Sequence, residues 1–277
     1  MALGKTAKLD DPEIPHLKIL VVDDDELNRR MMKILLTREG HHVDLAANGM
    51  EALDAVKYQR FDIVFMDLQM PTIDGIESSR RIREWENGGM HTFIVALTAS
   101  YMPEEGQRLF EAGVDNYISK PFEIEHIQRM LTLISKNKPL DPILAHPAPV
   151  SVVQPADTSI LDVETGIHRV GGELETYKDL LSDFVRGFPK RMESLEAYLL
   201  ERNMDAFSRE AHNLKGVSSN LGAMQLADCA DTLDKQGNEG YTPLIEGSFL
   251  ELRKAEENLL RTANDFLASQ GRIVEQT

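Results

Sequence analysis

Between residue 18 and about residue 136, short apolar runs alternate with stretches of helical period. The runs lie at 18–23, 43–46, 61–67, 93–98 and 116–119. Between them, Leu27, Met31, Ile34 and Leu35 form one helical stripe, and Ile127, Met130, Leu131 and Ile134 form another. Strands that alternate with helices predict a parallel sheet covered on both faces. Ile19 to Val22 and Ile63 to Met66 are almost continuously apolar, as central parallel strands should be. From residue 158 the period is helical throughout. A short helix near 162–169 stops at Gly171-Gly172. Tyr177, Leu180, Leu181, Phe184 and Phe188 make the next stripe, which Pro189 interrupts before Met192, Leu195 and Leu199 resume it. A helix with Phe207, Ala211 and Leu214 follows, then one with Leu226, Ala230 and Leu233, then a long one with Leu252, Ala255, Leu259, Ala263 and Phe266. Gly237, Gly240 and Pro243 mark the last turn. Short loops between periodic helices predict an antiparallel bundle. Five prolines between 138 and 158 rule out helix there and predict an extended linker over 137–157. The domains expected are thus 16–136 and 158–270.

Composition narrows the function. A chain of 277 residues, 42% of them hydrophobic, suits two ordinary cores. The net charge of −16 makes nucleic acid a poor partner, because a duplex rewards basic patches. No apolar run reaches the roughly 18 residues of a membrane span. Residues 1–16 lack an apolar signal core. The single cysteine, Cys229, excludes an internal disulfide and sits among apolar neighbours. These features together predict a cytoplasmic protein without direct membrane contact. Seven histidines besides His212 show no metal-ligand spacing and are expected at the surface or in structural roles.

The polar residues at the strand ends carry the chemistry, since ligands of such sheets sit beyond the carboxyl ends of the strands. The first run ends in Asp23-Asp24-Asp25, the third in Asp67, the fourth in Thr98 and the fifth in Lys120-Pro121. Singly, these would pass for helix caps, turns and solvated charges. Jointly, at four strand ends, they predict a site. Crowded carboxylates raise one another's pKa, and keeping them ionised calls for a cation. Oxygen-only ligands suit magnesium, or manganese in its place. Asp25 is expected at the start of the first helix, where the dipole favours it. No glycine-rich phosphate loop is present, so a dinucleotide or flavin site has no motif behind it.

This constellation resembles the receiver domain of two-component signalling. The resemblance covers 16–136 and implies a flavodoxin-like (βα)5 doubly wound sheet of order 2-1-3-4-5. It implies that Asp67 accepts phosphate and that Asp23, Asp24, Asp67 and the backbone carbonyl of Gln69 hold magnesium. Thr98 and Lys120 match the groups that grip the phosphoryl oxygens. Tyr117 matches the aromatic position that switches with Thr98. Met70 to Gly75 fits the loop after the phosphorylated aspartate, and Lys120-Pro121 the family's cis peptide.

In the second domain His212, Lys215, Gly216 and Ser219 fall at i, i+3, i+4 and i+7 on one helix face. A glycine inside a helix costs about 1 kcal/mol against alanine. Accepting that cost beside a histidine implies that something approaches the imidazole closely. The ring is expected to be an exposed nucleophile, with the Lys215 ammonium one turn away to hold an anion. The stretch resembles the histidine-phosphotransfer (HPt) signature, and 161–184 resembles the usual start of that four-helix domain. The resemblance implies that His212 carries the phosphoryl group, supported by Lys215 and Gly216.

Together these resemblances imply a phosphorelay protein. A histidine kinase would phosphorylate Asp67, and His212 would relay phosphate to or from a receiver aspartate, of this chain or of a downstream response regulator. The pairing is typical of the C-terminal end of hybrid sensor kinases, so the chain is either a piece of one or a complete relay protein. Two alternatives compete: a phosphorylation-switched binding module, and a phosphate sink in which His212 passes nothing onward. An independent small-molecule enzyme is not expected, beyond the receiver's magnesium-dependent self-phosphorylation and dephosphorylation.

Overall fold

The computed structural model describes residues 16–98, 103–121, 124–135 and 160–274. The expected linker lies outside them. Five strands, β1 (Lys18–Val22), β2 (His42–Ala46), β3 (Ile63–Asp67), β4 (Phe93–Thr98) and β5 (Asn116–Ser119), form one parallel sheet in the order β2-β1-β3-β4-β5. Side chains alternate across the sheet with period two. Leu20, Val22, Val64, Met66, Ile94 and Ala96 face α2 (Gly49–Tyr58), α3 (Gly75–Glu86) and α4 (Pro103–Glu111). Ile19, Val21, Ile63, Phe65, Val95 and Leu97 face α1 (Glu26–Arg38) and α5 (Ile124–Ser135). Central β3 is buried at every position, which explains why its sequence is a continuous apolar run.

The helical half comprises α6 (Val163–Arg169), α7 (Leu174–Leu200), α8 (Met204–Asn220), α9 (Met224–Glu239) and α10 (Leu244–Val274). Three-residue turns return α7 to α8 and α8 to α9, as in an antiparallel bundle. Asp162 caps α6 and Asn203 caps α8 through side-chain oxygens. Helix α7 departs from expectation: it runs unbroken through Pro189. An interior proline costs about 3 kcal/mol. Phe184, Phe188, Met192 and Leu195 lie on one buried face across the interruption, and each such burial contributes roughly 1.5–3 kcal/mol, so the core outweighs the proline. Cys229 is partly buried against this core, as its apolar neighbours predict.

The two halves meet through α1. Its Met32, Leu35 and Leu36 pack on the sheet, whereas Leu27 and Met31 join the core of the helical half. Arg38 donates to the Gly171 carbonyl at 3.0 Å and to Glu173 at 2.9 Å, and Arg30 pairs with Asp183.

Gly166 fixes how α6 closes the bundle. A Cβ there would lie 2.4 Å from the Tyr177 ring and 2.6 Å from the Leu221 carbonyl, to which the Tyr177 hydroxyl donates at 3.0 Å. Gly166→Ala is therefore expected to lose roughly 1–3 kcal/mol through overpacking. The check is a lower urea midpoint at unchanged m-value.

Candidate functional site

All five strands end at the same edge, and order reverses between β1 and β3. Asp23 and Asp24 follow β1, Asp67 ends β3, Thr98 ends β4 and Lys120 follows β5. Asp23 and Asp67 are each 1% exposed. One oxygen from each of Asp23, Asp24 and Asp67 lies within 4.8 Å of the others. The Lys120 ammonium donates to Asp23 Oδ2 and to Asp67 Oδ2, both at 2.8 Å. Burial pushes Asp23 up to about 7; the Asp67 charge adds to this and Lys120 opposes it. Asp24 is also raised, by burial and then by Asp23, against a hydrogen bond from Asn213. Burial alone would lower Lys120, but Asp23 and Asp67 outweigh it and hold the ammonium above its ordinary value. Three hard carboxylates served by one buried cation make a donor set that fits magnesium.

The rest of the receiver-like constellation surrounds this cluster. The Gln69 N–H donates to Asp67 Oδ1 at 3.3 Å. The Thr98 carbonyl accepts from the Lys120 N–H at 2.6 Å, and Lys120-Pro121 is cis. Tyr117 is buried in the sheet core beside Ala96 and Leu109. Gly75 is there because backbone crowds it: an added Cβ would sit 2.1 Å from the Asp67 carbonyl oxygen. Asp25 caps α1 as expected, through Oδ1 to the N–H groups of Leu27 and Asn28.

His212 lies on α8 with Nδ1 2.9 Å from Asp234 Oδ2. The other Asp234 oxygen accepts from Ser208 Oγ at 2.5 Å and from Asn238 Nδ2 at 2.9 Å. This network assigns the ring proton to Nδ1 and leaves the Nε2 lone pair for a partner. Lys215 bonds Asp231 at 2.6 Å, and Lys235 bonds the other Asp231 oxygen at 2.7 Å. A cavity of about 360 Å³ is lined by Asp67, Gln69 and Thr98 from one side and by His212, Lys215 and Asp231 from the other.

Two expectations are corrected. His212 is not exposed: it is 4% exposed, because the first domain covers its face. Gly216 is not required by close packing, since an added Cβ would find only Asn28 Nδ2, at 3.8 Å. Sequence reasoning also missed Asp234. The signal was available: Asp234 falls four residues after Ala230, on the inward face of α9. An acid at an inward position needs a partner, and that partner is His212.

Comparison with known proteins gives the family. A family model for the response regulator receiver domain matches residues 19–132, and one for the Hpt domain matches residues 179–262. The chain is a receiver domain followed by an Hpt domain. This pair serves phosphorelay signal transduction. Its relatives are hybrid sensor histidine kinases. Sensor histidine kinase GacS of Pseudomonas protegens is 31% identical over 79% of this chain and 24% of its own length. The histidine-protein kinase BarA of Escherichia coli K12 is 25% identical over 91% of this chain and 27% of its own. The chain thus spans about a quarter of the length of these relatives. Among solved structures, a receiver domain of a Pseudomonas aeruginosa sensor histidine kinase, with magnesium in its active-site cleft, is 33% identical. The match covers 44% of this chain and 99% of that one, with a TM-score of 0.41. A complex of a Saccharomyces cerevisiae histidine phosphotransfer protein with a receiver domain is 28% identical over 46% of this chain and 94% of that one, with a TM-score of 0.42.

The raised pKa of Asp23 has a definite sign in stability. Between 3.8 and about 7 the folded chain keeps a proton that the unfolded chain has lost. The metal-free protein therefore loses stability as pH rises through that window. Asp23→Asn carries no such loss, so its urea midpoint should gain on wild type progressively from about pH 5 to pH 8 with chelator present. Magnesium should shrink the difference by stabilising wild type.

Proposed function

We propose that Asp67 is the phosphoacceptor of the receiver and that His212 relays the phosphoryl group to or from a receiver aspartate. The observation that carries this reading is the one cavity bordered by the Asp67 carboxylate and the His212 imidazole. We assign 16–136 to the receiver, 137–157 to the linker and 158–270 to the Hpt domain, acting in the cytoplasm; no described helix is long and apolar enough to cross a membrane. The donor is a phosphorylated histidine kinase, and the recipient of the relay is a response-regulator receiver.

In the first step an Asp67 oxygen attacks the phosphorus of the kinase phosphohistidine. The P–N bond breaks, its electron pair returns to the kinase imidazole, and an acyl phosphate forms on Asp67. Lys120, already 2.8 Å from Asp67, holds negative charge in place as the group arrives. Thr98 supplies a hydroxyl at the same strand edge, and Tyr117 moves with it as the receiver switches. Asp23, Asp24, Asp67 and the Gln69 carbonyl would hold magnesium, which supplies positive charge against the phosphoryl oxygens. In the second step the Nε2 lone pair of His212 attacks phosphorus, the P–O bond breaks, and its pair stays on the Asp67 carboxylate. The Nδ1 proton stays on the ring, and Asp234 holds the new positive charge. Lys215 offers an ammonium to the phosphoryl oxygens.

The test is incubation with a phosphorylated histidine kinase and magnesium. Wild type should carry both base-labile acyl phosphate and acid-labile phosphohistidine. His212→Gln should keep only the base-labile label, and Asp67→Asn should take none. Acid-labile, base-stable label on His212→Gln, or undiminished label on Asp67→Asn, would overturn the assignment. Asp234→Asn should slow the second step roughly tenfold or more without changing the first.

A further inference from the structure

The acid pair Asp23 and Asp24 is absorbed by the site described above, but Asp25 is not. Its Oδ1 caps α1, and its Oδ2 pairs with Arg191 of α7. Arg191 also bonds Glu210 of α8 at 3.1 Å. The pair is sheltered: the Asp25 side chain is 4% exposed and that of Arg191 18%. Nearby, the Asn213 amide, next to His212, donates to both oxygens of Asp24 at 3.2 Å. Arg191 and Asn213 therefore tie α7 and α8, the helix that carries His212, to the two residues that follow Asp23. Leu27 and Met31 close the same seam with apolar contact.

We propose that Arg191, bridging Asp25 and Glu210, is the positioning residue for transfer between Asp67 and His212 of one chain. The proposal rests on the relay reading above and adds the residue that sets its geometry. Phosphorus leaves an Asp67 oxygen and joins His212 Nε2 of the same molecule, with the bonds balanced as already written. Arg191 touches neither reacting atom. It acts by setting α7 and α8 against the start of α1, which follows directly on the acid cluster. A tethered partner sits at an effective concentration of order millimolar, so at micromolar protein the intrachain route outruns the interchain one by roughly a hundredfold or more.

The experiment uses the full chain. Asp67 is loaded with acetyl phosphate and magnesium, and the base-labile label serves as the loading control for every variant. The rise of acid-labile, base-stable label on His212 is then followed per loaded Asp67. The expected rate is first order and unchanged on hundredfold dilution. A mixture of loaded His212→Gln chains with Asp67→Asn chains should be slower by roughly a hundredfold at micromolar concentration. Arg191→Gln should slow transfer roughly tenfold or more, and Arg191→Lys should restore part of it. Asp25→Asn keeps a cap oxygen but loses the charge, so it should slow transfer too, by no more than Arg191→Gln, which also gives up Glu210. The double variant should be no slower than Arg191→Gln alone, because that change already removes the Asp25 pair. A rate proportional to protein concentration, or Arg191→Gln and Asp25→Asn both within twofold of wild type, would overturn the proposal and leave the relay assignment standing. Failure of Asp67 to load, or acid-labile, base-stable label on His212→Gln, would instead overturn the relay assignment beneath it.

Discussion

Helix α1 is buried on two sides at once, and the arrangement of the rest follows from that. Met32, Leu35 and Leu36 hold it to the sheet, and Leu27 and Met31 hold it to the helical half. Each fully buried side chain of this kind contributes roughly 1.5–3 kcal/mol. The cap of α1 is Asp25, and the two acids before it belong to the strand edge. The helix that buries the interdomain contact thus also fixes the acid cluster. Apolar contact sets how close the domains come, but it tolerates sliding. The polar contacts set register: a slip of one turn, about 5.4 Å, would separate Asp24 from Asn213 and Asp25 from Arg191 together.

Electrostatics explain why each of these acids has a different partner. Four carboxylates, Asp23, Asp24, Asp25 and Asp67, crowd one edge of the sheet. Lys120 reaches Asp23 and Asp67 from β5. Arg191 reaches Asp25 from the other domain. Among the described residues, Asp24 receives only a neutral amide. Hydrogen bonds from neutral donors hold a carboxylate less firmly than charged ones. Asp24 is also the least buried of the three acids that face one another, so it is the one with charge to spare for a cation. On the Hpt side the pattern repeats with opposite roles. Asp234 is fully engaged by His212, Ser208 and Asn238, which fixes the imidazole rather than leaving an acid free.

The strand runs, the sheet class and the acidic edge were legible in the sequence because parallel strands buried on both faces must be apolar throughout and must end at one edge. His212, Lys215 and Gly216 were legible through helical spacing. Strand order came from resemblance, since periodicity says nothing of which strand lies beside which. Three features were misread, each for a physical reason. Pro189 looked like a break because local propensity was weighed without the core on either side of it. His212 looked exposed because its cover comes from the strand edge of the first domain, at Asp67, Gln69 and Thr98, far earlier in the chain. Gly216 looked like a crowded position, whereas its neighbour Asn28 leaves room for a methyl group. Arg191 could not be found at all: a lone arginine on an amphipathic helix acquires meaning only when Asp25 and Glu210 are placed around it.

The contacts across α1 differ in how they respond to the medium. Arg30–Asp183 and Arg38–Glu173 lie on the exposed rim, where an ion pair contributes about 0–1 kcal/mol and is screened within roughly 8 Å at physiological salt. Arg191–Asp25 is sheltered, so salt reaches it less, and removing one partner leaves the other charged and partly buried. Leu27 and Met31 do not respond to ionic screening. Raising ionic strength therefore weakens the rim first and leaves the inner pair and the apolar seam together. A second receiver that docked in the same way would take the place of Leu27 and Met31 in the seam and offer Arg191 and Asn213 equivalent partners. An acid directly after the pair that corresponds to Asp23 and Asp24, at the cap of its own first helix, is the feature such a receiver needs.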